Sequence, residues 1–335
     1  MKKETLSGII VFSVIILVAG ALIWYSKSSS SKSAKTIFEE NPTGNPSGYS
    51  IDDTGNLKGS KYIAALYVEG TIENANTSYN QQWLLSTISK LKKDTNNVAI
   101  AMYVNSPGGG VYQADEVYFA LKSYKGTGKK IYVYMGPLAA SGGYYISCPA
   151  DKIYANRNTL TGSIGVIAGQ LIDATELLDE VGVKIEAIHS GRNKLMGNFY
   201  EEITEEQEEI MQSISDECYE QFVGIVAQSR NLSMNQVKEL ADGRVYTAAQ
   251  AVKNGLIDKI DSWDNMIYTL RTQELENSSC SVVVYRYEHK QTFRESVFGI
   301  MSDIQNKSLA SKLGIPVSVL NDLEKFNTYP AYLYR

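Results

Sequence analysis

The chain of 335 residues carries 32 Lys and Arg against 37 Asp and Glu, a formal net charge of −5. That balance, with no long basic run, excludes nucleic acid as a partner. The 44% hydrophobic content suffices for a substantial core in one large domain or two ordinary ones. The three cysteines, Cys148, Cys218 and Cys280, lack metal-type spacing and read as free thiols, so no metal is expected.

The first elements concern a membrane. Residues 1–7 contain Lys2 and Lys3, and residues 8–25 are uncharged and almost wholly apolar, long enough to span a bilayer. Trp24-Tyr25 suits an interfacial anchor, and no small-x-small cleavage site follows. The expectation is an uncleaved transmembrane signal anchor at 8–25 behind a cytoplasmic N-terminus at 1–7. Lysines on both sides of it leave the orientation open by charge counting. Residues 26–60, rich in Ser, Gly, Asn and Pro, read as a flexible linker.

Ordered structure is expected over 61–290, with 291–335 as a weakly patterned C-terminal tail. Lys61 opens a strand. Gln81 to Lys92 places Trp83, Leu84, Ile88 and Leu91 at helical spacing. Asn97 to Val104 is a second strand, running through Asn105-Ser106-Pro107 and Gly108-Gly109-Gly110 into a helix over Val111 to Tyr124. Lys130 to Met135 is a third strand. Gly136-Pro137 breaks it, and a corner at Ala139-Ala140-Ser141-Gly142-Gly143 leads to an apolar helix at Tyr144 to Cys148. Such alternation predicts an α/β fold with a parallel sheet, and both loops fall at the carboxyl ends of strands, where sites form.

Further on come Lys152 to Ala155, Leu160-Thr161-Gly162-Ser163-Ile164-Gly165-Val166, a short helix over Asp173 to Val181 and an alternating strand over Val183 to His189. Capping boxes begin at Thr204, Ser233 and Thr247. The first opens a long helix to about Ser229 with a buried stripe at Ile210, Ile214, Cys218 and Phe222. Val282 to Tyr287 is a late strand. Tyr329 to Arg335 reads as a surface or disordered tail, with a self-derived peptide in a groove as the lesser alternative.

A serine between small residues, ahead of a helix, is suited to nucleophilic attack beside free backbone N–H groups, although taken alone the stretch reads equally as a packing corner. Its activating base is a histidine or a lysine. His289 lies among charged neighbours, while His189 ends a strand and stays a candidate. A lysine base must be neutral, which requires burial, and Lys194 follows a strand in a loop beside Leu195 and Met196. The glycines at 108–110 are a turn or a bare edge offering N–H groups to a substrate. No Gly-Lys-Ser/Thr ending follows, so they are not a phosphate loop.

Together, Asn105-Ser-Pro-Gly-Gly-Gly, Met135-Gly-Pro-Leu-Ala-Ala-Ser-Gly-Gly-Tyr-Tyr, Leu160-Thr-Gly-Ser-Ile-Gly-Val, Ser190-Gly-x-x-Lys194 and Asp242-Gly-Arg-Val-Tyr resemble the bacterial signal peptide peptidases. More distantly they are similar to ClpP within the crotonase-like fold. The resemblance covers roughly 61–261 and implies a ClpP/crotonase-like spiral of βαβ units. It implies Ser141 as nucleophile, Lys194 as general base and Ser163 as the residue orienting the lysine. Gly109 or Gly108, with Gly142, would form the oxyanion hole. Gly110, Val111, Ile164, Gly165 and Val166 would line the substrate groove. Residues 151–161 hold no histidine, which favours a Ser-Lys pair over a ClpP-type triad. With serine and lysine on one short protomer, the chain resembles the single-domain Gram-positive form.

The resemblance further implies an extracytoplasmic catalytic domain, remnant signal peptides and other extended peptides as substrates, no cofactor, and a homo-oligomeric ring. Two alternatives remain at this level, a crotonase-type acyl-CoA enzyme and a non-catalytic ring-forming membrane scaffold.

Overall fold

The computed structural model describes residues 61–278 and 280–289, and the backbone of 331–333. The expected anchor at 8–25 and linker at 26–60 lie outside the described residues, as does most of the tail. The described part belongs to a unit spanning Leu57–Arg335.

In chain order the elements are β1 (Tyr62–Glu69), α1 (Gln81–Lys93), β2 (Asn97–Ser106), β3 (Gly108–Gly110), α2 (Val111–Lys125) and β4 (Lys130–Ala140). A one-turn helix α3 (Gly142–Tyr145), β5 (Lys152–Ala155), β6 (Leu160–Gly162), α4 (Thr175–Glu180) and the long α5 (Glu205–Arg230) follow. Then come α6 (Met234–Leu240), β7 (Val245–Thr247), α7 (Ala248–Lys253), β8 (Lys259–Ile260), α8 (Trp263–Thr269), a π-helical turn (Leu270–Glu274), β9 (Ser281–Tyr285) and β10 (Ala331–Leu333).

Eight strands form one sheet in the order β7-β6-β4-β2-β1-β9, with β5 also beside β4 and β8 beyond it. All pairings are parallel except β6 with β7. Alternate residues of the central strands serve opposite faces. Leu66, Val68, Met102, Val104, Val133 and Met135 enter the main core with α1, α2, α3 and α5. Ile63, Ala99, Ala101, Tyr132 and Tyr134 enter a second core beneath Met266 and Ile267 of α8. Burial on both faces is why these strands read as nearly continuous apolar runs.

Several boundaries differ from the sequence reading. Strand β4 does not stop at Met135 but continues through Gly136-Pro137 to Ala140. Its register against β2 shifts between Val104 and Ser106, and the proline falls in the stretch of β4 between Met135 and Ala139 that has no paired partner on β2. Val183 to His189 forms no strand, and Val183, Ile185 and Ile188 are exposed; a strand needs a neighbour, and none pairs with this segment among the described residues. On α5 the buried apolar residues, Phe222, Val223, Val226 and Ala227, lie in the second half, while Ile214 is exposed. Ser233 and Thr247 form full capping boxes, whereas Thr204 contributes the cap alone.

The end of α5 is fastened by a largely buried ion pair with a partly exposed carboxylate. Arg230 donates from Nη1 to Asp258 Oδ2 at 3.0 Å and from Nε to the Gly255 carbonyl at 2.8 Å. Asp258 Oδ2 also accepts the Ile153 N–H at 2.8 Å, anchoring β5. Burial raises the Asp258 carboxyl pKa, but Arg230 and the Ile153 amide outweigh it and hold the group below the usual carboxylate range. A depressed folded value stabilises the fold above the unfolded pKa of about 3.9, and that contribution is lost as pH falls below it. Asp258→Asn is therefore expected to cost about 3 kcal/mol in urea unfolding at neutral pH. The gap from wild type should narrow by about pH 3, and an unchanged gap would contradict the assignment.

Candidate active site

Ser141 joins the end of β4, in mid-sheet, to α3, at φ 54 and ψ −117. Few L-residues adopt that conformation, which turns the chain sharply and costs on the order of 1–3 kcal/mol. Neighbouring bonds hold it. The Ser141 N–H donates to the Gly162 carbonyl at 2.7 Å, and its carbonyl accepts the Tyr145 N–H at 2.9 Å. The residue is 1% exposed. Gly143 is required by close approach, since a Cβ there would lie 2.8 Å from the Ser106 carbonyl oxygen. Gly142 is the first residue of α3, so its N–H has no intrahelical acceptor.

The glycine edge lies against this corner, because β2 and β4 are neighbours and Ser106 pairs with Ala139. The Ser106 hydroxyl accepts the Gly108 N–H at 3.1 Å, shaping the turn. Ile72 donates to the Gly108 carbonyl at 2.8 Å and accepts from the Gly110 N–H at 2.9 Å. Successive backbone groups point to opposite sides of a strand, so the Gly109 N–H and carbonyl face away from Ile72. A Cβ on Gly109 would lie 1.9 Å from the Ile72 oxygen, which rules out any other residue there. The free side of β3 pairs antiparallel with β10, with Tyr332 opposite Gly109. Part of the C-terminal segment is thus an ordered edge strand rather than a loose tail.

On the other flank, Thr161 donates to the Ala139 carbonyl at 2.7 Å, and Thr159 to those of Met135 and Gly136 at 3.1 and 2.8 Å. These buried threonines tie β6 to β4 beside the serine. Ser163 follows directly, buried and at φ 49, its N–H donating to the Arg244 carbonyl at 2.9 Å. Gly243 donates to the Ile164 carbonyl at 3.1 Å, so the Asp242-Gly-Arg-Val-Tyr motif frames this side.

The structure thus gathers Ser141, Gly108, Gly109, Gly110, Gly142 and Ser163 at the carboxyl ends of neighbouring strands. Val111 opens α2 beside them, and Gly165 and Val166 are part-buried next to Ser163. Ile164 departs from the groove expectation, as its side chain is wholly buried in the main core. Lys194 is not brought in. It is exposed in a turn closed by its own N–H to the Gly191 carbonyl at 3.1 Å, and no hydrogen bond joins its amine to Ser141 among the described residues. The turn is tied to α5 through Glu206, which accepts from Arg192 and, at 3.3 Å, from Asn193. His189 is also exposed, with Nδ1 3.2 Å from the Gly191 carbonyl.

Ser106, Thr159 and Thr161 were not singled out in the sequence. Their only signal is position, next to the glycines and within the Leu160-Thr-Gly motif. Cys148, just beyond α3, offers no competing nucleophile at neutral pH, since burial pushes its thiol up to about 12.

Comparison with known proteins identifies the family. Residues 123–276 match Peptidase family S49. An Enterococcus faecium protein carrying the name signal peptide peptidase SppA is 37% identical over 233 residues, covering 68% of this chain and 67% of that one. A Synechocystis protein named as a protease is 38% identical over 201 residues, covering 60% of this chain and 70% of that one. Among solved structures, a ClpP1 variant of Listeria monocytogenes shares 18% identity at a TM-score of 0.41, over 61% of this chain and 94% of its own. Neither an acyl-CoA enzyme nor an inert scaffold fits these relatives: the chain belongs to peptidase family S49, as a serine protease of the signal peptide peptidase SppA type.

Proposed function

We propose that this protein is a membrane-anchored endopeptidase with a Ser141–Lys194 dyad that degrades remnant signal peptides and other extended peptides. The observation that carries the proposal is the Ser141 corner facing an extended glycine edge. An edge of this kind receives a peptide as an added strand, and the chain's own Ala331–Leu333 demonstrates the pairing mode. Neutral Lys194 takes the proton from the Ser141 hydroxyl, which attacks the peptide carbonyl. The Gly109 and Gly142 N–H groups stabilise the resulting oxyanion, and the protonated lysine gives its proton to the leaving amine. Water then hydrolyses the acyl-enzyme by the same route.

A lysine base requires a dry surrounding, and Lys194 is exposed in the single chain. The segment carrying it also exposes Ile172, Leu177, Val181, Ile185 and Ile188, apolar side chains that an interface would cover. Assembly of copies into a ring covers this surface, removes water from the lysine and gives Val183 to His189 a strand neighbour. Residues 8–25 hold the assembly in the cell membrane as a single-pass anchor, with the catalytic domain on the extracytoplasmic side.

Digestion of casein by the detergent-solubilised protein tests the dyad. Ser141→Ala and Lys194→Ala should each lose at least about a thousandfold in kcat. The wild-type rate should climb from neutral into alkaline pH, because only the neutral form of a lysine amine is a base. Full activity in either variant, or a flat profile, would remove the dyad. Ile188→Asp, at a fully exposed position, should lower the sedimenting mass and the activity together. Loss of neither would remove the ring as the source of desolvation. Protease added outside intact cells should destroy the catalytic domain, and protection there would reverse the assigned topology.

A further inference from the structure

The proposed oxyanion hole draws its donors from separate segments. Gly109 lies on β3, which runs into α2, and Gly142 begins α3. Two N–H groups stabilise one oxygen only when both point at it from about 3 Å, so the relative placement of these segments is itself part of the chemistry. Helix α3 has only four residues, too few to hold a position by its own hydrogen bonds.

A part-buried link spans the two segments. Tyr145, the last residue of α3, donates its hydroxyl to Asp115 Oδ1 on α2 at 2.6 Å. The Tyr145 hydroxyl oxygen in turn accepts from Gln221 Nε2 on α5 at 2.7 Å. Tyr145 is fully buried, its ring packed edge-on to Tyr118 at 5.6 Å and against Phe222 at 5.0 Å. Its backbone N–H donates to the Ser141 carbonyl, so a shift of the phenol is carried directly to the serine corner. Asp115 stands on the first turns of the helix that the glycines enter. The link therefore joins the rear of the serine helix to the rear of the glycine edge, with α5 as the third support. A short, part-buried bond to a carboxylate is among the stronger single contacts a side chain makes.

We propose that Tyr145 is a positioning residue for catalysis, setting the Gly142 amide against the Gly109 amide through its hydroxyl bonds to Asp115 and Gln221. The inference rests on the function proposed above. Tyr145 touches neither substrate nor reacting atoms in this role. It acts through the two segments it joins, and its effect is confined to the transition state.

The test uses the full-length enzyme with Tyr145→Phe, Asp115→Ala and Asp115→Asn. The readouts are kcat and KM on a fluorogenic peptide, affinity for a peptide aldehyde, affinity for the matching peptide alcohol, and Tm. The aldehyde forms a tetrahedral oxyanion on the serine and the alcohol does not. Tyr145→Phe and Asp115→Ala should lower kcat by about tenfold to a hundredfold, with KM unchanged. Aldehyde affinity should fall by the same factor while alcohol affinity stays constant. Asp115→Asn keeps an acceptor and should retain kcat within about threefold of wild type. Unchanged kcat and aldehyde affinity in Tyr145→Phe would overturn the proposal. So would equal weakening of aldehyde and alcohol, or failure of Asp115→Asn to retain what Asp115→Ala loses. If Tyr145→Phe does not fold, the Asp115 pair decides. Ser141→Ala separates the two levels: activity in that variant sinks the serine mechanism, whereas normal Tyr145→Phe sinks only the positioning role.

Discussion

The structure depends on a single strained turn held in place by its neighbours. Ser141 sits at positive φ because the Gly162 carbonyl takes its N–H while its own carbonyl takes the Tyr145 N–H. Those bonds demand that β6 lie beside the end of β4, that α3 start at once, and that Gly143 leave room for the Ser106 carbonyl. The register shift at Gly136-Pro137, the buried threonines and the glycine edge follow from the same demand. Strain of this kind survives only where surrounding structure over-determines it.

The single chain completes only part of the chemistry. Ser141 is buried beside backbone N–H groups, but Lys194 is exposed in a segment that carries several exposed apolar residues. In the proposed mechanism, desolvation is the energetic quantity that assembly would contribute. A hydroxyl and backbone amides need no change of charge for their proposed roles, whereas an amine becomes a base only after its charged form has been made costly. On this account the isolated chain is a weak peptidase, and association creates the active enzyme.

Much of this was legible in the sequence because local rules were strong there. Alternating strand and helix patterns, the glycines before Val111 and the small residues around Ser141 all act through backbone sterics, which a sequence records directly. The strand at Lys130 was cut short because Pro137 reads as a breaker, and only the register against β2 reveals that it falls where β4 has no paired partner there. Val183 to His189 read as a strand because its alternation is real, yet a ladder requires a neighbour, and none pairs with it among the described residues. The stripe on α5 failed at Ile214, which is exposed among the described residues. Tyr145 and Asp115 gave no signal, because a bond between residues 30 positions apart on separate helices leaves no local pattern.

The central claim is that the Ser141 oxygen is the nucleophile made reactive by Lys194. The most direct measurement is mass spectrometry of the assembled enzyme after brief exposure to a fluorophosphonate, with the modified residue located by peptide mapping. The account predicts one adduct, on Ser141, formed rapidly in wild type and at least about a hundredfold more slowly in Lys194→Ala. An adduct on another residue, or equal labelling rates with and without the lysine, would contradict it.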